Sequence, residues 1–229
     1  MWVYLYPNNT ETELKNAYIG EYQEWWQPWA NTIAYYPLST NFNDQSGNGY
    51  NLTTSNASIS TAGGVACAYF NTGKAYNSTP SVWTQRTLSA WVYNIYTSWD
   101  RIIIWTGAST SNYNWMYLAV SYGKAQISDF QAVWIASISL TQNVWHNLVA
   151  VNDNTSMKIY VDWVLQASGT HDHTNASIWV WVWGRSFSSS YDSSNNCMGY
   201  ISEAIIESAV WTDQYVAKYY NSTKSNYWL

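Results

Sequence analysis

Glu203 and Glu207 are the first residues to consider for acid–base chemistry, because cleaving a glycosidic bond takes two carboxyl groups facing each other across it. They stand in Gly199-Tyr200-Ile201-Ser202-Glu203-Ala204-Ile205-Ile206-Glu207, which reads as a late strand with both acids pointing outward from one face. Four residues of extended chain span roughly 13 Å, more than a glycosidase leaves between its carboxyls. No acidic cluster of the Glu-x-Asp-x-x-Glu kind accompanies them, so a glycoside hydrolase is not expected. His146, His171 and His173 are the only histidines. His171-Asp172-His173 would set two imidazoles on one side of an extended segment, but spacing supplies no third ligand for a metal. The simpler reading is a polar loop, with His146 at a strand end. Neither a nucleophile elbow, a glycine-rich nucleotide loop nor a Cys–His pairing is present, and no residue is assigned a catalytic role.

Three other groups bear on binding. Asn43, Asp44 and Asn48, with the carbonyls around Gly47, offer the hard oxygens that a structural calcium ion needs. The same residues also suit an Asx-type turn held by its own backbone. In Ile178-Trp179-Val180-Trp181-Val182-Trp183 the two-residue period puts aliphatic side chains on one strand face and Trp179, Trp181 and Trp183 on the other. An exposed row of indoles would stack on the apolar side of a sugar ring or on a protein surface. Covered by another part of the chain or another subunit, it would be structural. Cys67 and Cys197, the only cysteines, exclude a four-cysteine zinc site and leave either one long-range disulfide or two buried thiols.

Those groups are carried by a chain of 229 residues, long enough for one sizeable all-β domain. Its net charge is −5, and it has no Lys/Arg run that would follow a phosphate backbone, so nucleic acid is not an expected partner. Charged residues make up only 10 % of it, against about a quarter in ordinary domains, which leaves Asn, Ser, Thr and Tyr to cover the solvated faces. That composition suits an extracellular, cell-surface or viral-particle setting. No apolar stretch is long enough for membrane insertion, and Met1-Trp2-Val3-Tyr4-Leu5-Tyr6-Pro7 is not a signal peptide, so the expectation is a removed leader or another route of export.

Residues 1–30 show no sustained period. With Trp25, Trp26 and Trp29 they read as an aromatic arm or connector that packs on its own domain or supports self-association. From Thr32 onward, short strands alternate with Asn, Gly and Ser clusters. Leu148, Ala150, Ile159 and Val161 are expected to face a core, and Val149, Lys158 and Tyr160 to point away. One helix is expected, capped by Thr212, with Val216, Tyr219 and Tyr220 as its apolar stripe, forming a lid over one edge. Many short strands without βα alternation imply two packed antiparallel sheets.

The order of these segments resembles the laminin-G-like, concanavalin A-like lectin/glucanase jelly rolls. Ile33-Ala34-Tyr35-Tyr36-Pro37-Leu38 and Asn43-Asp44-Gln45-Ser46-Gly47-Asn48-Gly49 are similar to that family's opening strand and turn. Ala68-Tyr69-Phe70, Leu88-Ser89-Ala90-Trp91-Val92, Trp145-His146-Asn147-Leu148-Val149-Ala150 and Lys158-Ile159-Tyr160-Val161-Asp162 resemble its successive strands, and Gly199 to Glu203 its closing one. The resemblance implies an all-β jelly-roll sandwich of two antiparallel sheets with one short C-terminal helix over residues 31–229. It also implies a non-catalytic carbohydrate-binding or adhesive module, with a glycan or surface protein as partner. A structural domain of a cell-surface layer or viral particle is the alternative, since this fold hosts both. The chain departs from the family at two places: Ser202 replaces the usual Asp before Glu, and Trp163 stands where the late hairpin has Gly after Asp. With seventeen tryptophans in the chain, Trp163 raises the expectation that some of them are glycine in the native source.

Overall fold

The computed structural model describes residues 31–81, 85–93, 101–107, 116–129, 135–170, 180–182, 186–187, 190–191 and 198–227. The expected arm at 1–30 lies outside the described residues, as do Trp179, Trp183, His171, His173 and Cys197. The first strands are β1 (Thr32–Tyr36), β2 (Thr53–Ala62), β3 (Val65–Asn77), β4 (Arg86–Tyr93) and β5 (Arg101–Thr106). They are followed by β6 (Met116–Ser121), β7 (Lys124–Asp129), β8 (Ile135–Ser139), β9 (Trp145–Asn152), β10 (Ser156–Val161) and β11 (Val164–Thr170). The short strands β12 (Val180–Val182), β13 (Ser186–Phe187) and β14 (Ser190–Tyr191) precede the closing strand β15 (Met198–Glu207). Helix α1 (Asp213–Thr223) and a 3-10 turn, Lys224–Tyr227, end the described chain.

All strand pairings among the described residues are antiparallel. The main ladder runs β11-β10-β9-β4-β15-β3-β12-β5-β6-β7-β8, with β1 added to β15 and β2 to β3. It folds over so that β6, β7 and β8 lie against β9, β10 and β11, which makes a β-sandwich. Strand β3 passes between the layers. Ala68 to Asn71 pair with β15, and Ala75 to Asn77 pair with β12. Between those two stretches sits Gly73, where a Cβ would lie 2.1 Å from the carbonyl oxygen of Asn56, a residue at φ +52 in a bulge of β2.

The core between the layers follows the two-residue rhythm. Leu88, Ala90, Leu148, Ala150, Ile159 and Val161 meet Ile104, Leu118, Val120 and Ile127 there. Each of the leucine, isoleucine and valine side chains contributes about 1.5–3 kcal/mol by leaving water. Val149 and Tyr160 do point away from this core, as expected, yet both are buried: with Val151, Ile205 and Trp211 they pack under Val216 and Tyr219 of α1. The helix therefore covers a sheet face and is not the edge lid that the sequence suggested. The reason is that the outer side of β9, β10 and β15 is itself apolar and has to be hidden from water.

Local chemistry sets the helix start. Thr212 (φ −74°, ψ 160°) accepts from the Tyr215 amide, and Asp213 receives the Lys158 ammonium at 3.0 Å and the Tyr160 hydroxyl at 2.6 Å. In the β10–β11 hairpin Val161 pairs with Val164, so Asp162 (φ +49) and Trp163 (φ +69) form a two-residue loop with both centres left-handed.

Replacing Gly73 by Ala should cost more than about 3 kcal/mol or prevent folding, because the obstruction is backbone. Gly47→Ala, at φ +92 with open space around it, should cost only about 1 kcal/mol. Urea denaturation of the two variants checks the contrast.

Candidate functional site

The two strand carboxylates come first. Strict alternation from Ile201 would send residues 203 and 205 into the core, but β15 carries a bulge between Ser202 and Ile205, with Glu203 at φ +51. The extra residue changes the parity. Ala204 and Ile206 enter the core, while Ser202, Glu203, Ile205 and Glu207 lie on the opposite side with the tail. Both glutamates thus share a face, but the expected outward, solvated placement is wrong: Glu203 is only 7 % exposed and Glu207 2 %. Helix α1 and the following turn close over them, because the apolar residues beside them need cover.

Each acid is committed to internal donors. Tyr35 Oη donates to Glu203 Oε1 at 3.2 Å, and Tyr227 Oη lies 3.0 Å from both Glu203 Oε2 and Ser202 Oγ. Thr32 Oγ1 donates to Glu207 Oε1 at 3.0 Å, and Trp211 Nε1 to Oε2 at 2.6 Å. Burial pushes the Glu203 carboxyl up to about 7, against the opposing pull of the Tyr227, Tyr35 and Tyr219 hydroxyls. Burial also raises Glu207, with Trp211 and Thr32 opposing. Ser202 helps to seat the tail hydroxyl.

Tyr227 locks that tail. Its ring stacks on Trp91 at 3.9 Å and 12°, beside Trp145 at 5.1 Å, and Trp145 Nε1 donates to the Ala62 carbonyl at 3.1 Å.

The loop after β1 is braced from within. Asp44 Oδ1 accepts from the Tyr35 and Ser46 amides, and Oδ2 from Ser46 Oγ and the Tyr50 amide, all between 2.8 and 3.0 Å. Asn48 Nδ2 donates to the carbonyls of Thr32 and Ile33, and the Asn43 amide donates to Asn41 Oδ1. The structure brings Asp44 and Asn48 against β1, and a calcium ion would have to displace these donors. Among the described residues no group of three His, Cys, Asp or Glu side chains is placed to hold a metal.

His146 does more than end a strand. Its Nδ1 lies 2.7 Å from Asp162 Oδ2, its Nε2 lies 3.1 Å from the Thr141 amide, and Asp162 Oδ1 accepts from the Asn147 amide. Of the two cysteines considered for a disulfide, Cys67 is a buried free thiol pushed up to about 11 by desolvation, and Cys197 lies outside the described residues.

Of the tryptophan row, position 181 lies in β12, in register with Tyr76 of β3 and Trp105 of β5, and Trp105 is in turn opposite Tyr117 of β6. This register sets the four positions in line across four strands, and Tyr76, Trp105 and Tyr117 lie on the side of the layer turned from the core. Trp105 and Tyr117 are buried there with Ile102 and Ala119, and Tyr76 is half-buried beside them under the Lys74 ammonium. Tyr76, Trp105 and Tyr117 were not singled out from the sequence, since only cross-strand register reveals their alignment.

No protein-family model and no curated protein matches this chain. Solved structures do match it in fold. Domain 4 of AbnA, a GH43 extracellular arabinanase from Geobacillus stearothermophilus determined in complex with arabinotriose, superposes with a TM-score of 0.65 at 18 % identity, covering 82 % of this chain and 97 % of that domain. The binding domain of Paraclostridial Mosquitocidal Protein 1 gives 0.61 at 14 %, covering 84 % of this chain and 52 % of that one. The receptor-binding domain of botulinum neurotoxin type G gives 0.58 at 16 %, with 84 % and 51 % covered. The chain thus spans about half the length of the toxin binding domains, and nearly all of the arabinanase domain.

Above its ordinary value of 4.5, an unfolded Glu203 sheds a proton that the folded one keeps until about 7. The unfolded state then binds fewer protons, so stability falls as pH rises through that window, on the order of 3 kcal/mol for this group, with Glu207 adding in the same direction. Glu203→Gln should flatten the decline and make the protein more stable than wild type near pH 8, read by urea denaturation at a series of pH values.

Proposed function

We propose that this chain is a non-catalytic carbohydrate-binding or adhesive module that works outside the cell. The observation that carries the reading is the sealing of Glu203 and Glu207 beneath α1 and Tyr227, which takes the paired strand carboxylates away from any substrate. The surface is left to neutral hydrogen-bonding groups and aromatic rings. Such groups recognise sugars by stacking on C–H faces and by amide and hydroxyl contacts. The fold shared with a domain solved with arabinotriose supports the same reading. Trp179, Trp181 and Trp183 are the proposed contact residues, with position 181 lined up between Tyr76 and Trp105.

A second reading, a structural domain of a surface layer or viral particle, draws on a different observation. Trp105 and Tyr117 lie on the side turned from the core yet are only 4 % and 3 % exposed, as in a face that is covered. In that reading the aromatic positions serve packing and no glycan binds.

A glycan array spanning plant and bacterial polysaccharides separates the two. Binding of at least one polymer class is expected, weakened about tenfold or more, roughly 1.4 kcal/mol, by Trp181→Ala or Tyr76→Ala while the melting temperature stays unchanged. Uniform absence of binding moves the assignment to the structural reading.

A further inference from the structure

We propose that residue 163 is glycine in the protein as its source makes it, and that Trp163 results from a UGA codon translated by the wrong genetic code. UGA is a stop in the standard code, but it is decoded as tryptophan in some lineages and as glycine in others. A gene of the second kind translated by the rules of the first shows tryptophan wherever its owner inserts glycine.

Geometry points to this position. The loop Asp162-Trp163 joins β10 to β11 directly through the Val161–Val164 pair, with φ +49 and +69 at its two centres. That is the type I′ hairpin, whose second centre is the place for glycine in Asp-Gly, because any Cβ there crowds the backbone. Nothing around the indole compensates. Trp163 is 49 % exposed, and its ring has no stacking or hydrogen-bond partner among the described residues.

The tryptophans that the fold does use look different. Trp91 is buried against Tyr227, Trp145 donates to Ala62, Trp211 donates to Glu207, and Trp105 is 4 % exposed. Composition gives an independent sign. The chain has seventeen tryptophans but eleven glycines in 229 residues, whereas ordinary usage of about 7 % would supply about sixteen glycines. Returning a handful of tryptophans to glycine closes that gap.

The consequence reaches the proposed sugar contacts. Trp179, Trp181 and Trp183 lie outside the side chains that the structure describes, and glycine at any of them would remove a stacking surface. Recoding at 163 leaves glycan binding as a separate question, because an array can be positive or negative with either residue there.

One tryptic peptide of the protein purified from its source, running from Ile159 to Arg185, contains all four positions. Fragment-ion mass spectrometry of that peptide, with the genomic sequence of codon 163, tests the proposal. Glycine at 163 over a UGA codon is the expected result; tryptophan in the native peptide, or UGG in the gene, overturns it. In recombinant protein Trp163→Gly should raise the denaturation midpoint, and Trp163→Ala should raise it less. An unchanged or lower midpoint for the glycine variant, or an equal gain for alanine, counts against the argument from φ.

Discussion

The closing strand β15 has apolar surface on both of its faces, and the rest of the structure is arranged around hiding it. On one face Ile201, Ala204 and Ile206 enter the sandwich core; on the other Ile205 needs a cover, which α1 provides through Val216 and Tyr219. The bulge at Ser202–Ile205 makes both possible. By adding one residue it changes which side chains face inward and turns Glu203 away from the core, where the hydroxyls of Tyr35 on β1 and Tyr227 in the tail receive it. Moving a carboxyl into such a place is costly unless it is hydrogen-bonded or neutral, and Glu203 is well supplied with donors and shifted towards the neutral form.

The same economy of charge runs through the molecule. With few ions on the surface, loops are braced by short acids turned inward on their own backbone: Asp44 holds the turn after β1, and Asp153 holds the β9–β10 turn through Thr155 and Ser156. Hydrogen bonds from those side chains and amides outweigh burial and draw the Asp153 carboxyl down to about 2. These two acids are structural fasteners. The proposed recognition through stacking and amide contacts therefore falls to neutral and aromatic groups.

A sandwich of this shape supports many activities, and its likeness to sugar- and receptor-binding domains at 14–18 % identity is a likeness of scaffold. The proposed binding role rests instead on the seal over Glu203 and Glu207. Register and the identity of the residues themselves decide which aromatics can matter, which is why the hairpin tip at Trp163 bears on the proposed function.

Much of the fold was legible in the residues. The alternation of Leu148 and Ala150, and of Ile159 and Val161, announced two half-buried strands; Thr212 announced a helix start; and Asp162-Trp163 announced a turn under conflict, because each is a local property of a few neighbouring side chains. Tertiary structure alone decided the rest. The bulge that reverses parity at Glu203, the burial of Glu203 and Glu207, the placement of α1 on a face, and the alignment of Tyr76, position 181, Trp105 and Tyr117 all depend on which strands become neighbours and in what register. A linear period cannot encode that choice, since shifting a partner strand by one residue leaves the sequence pattern intact while exchanging every face it presents.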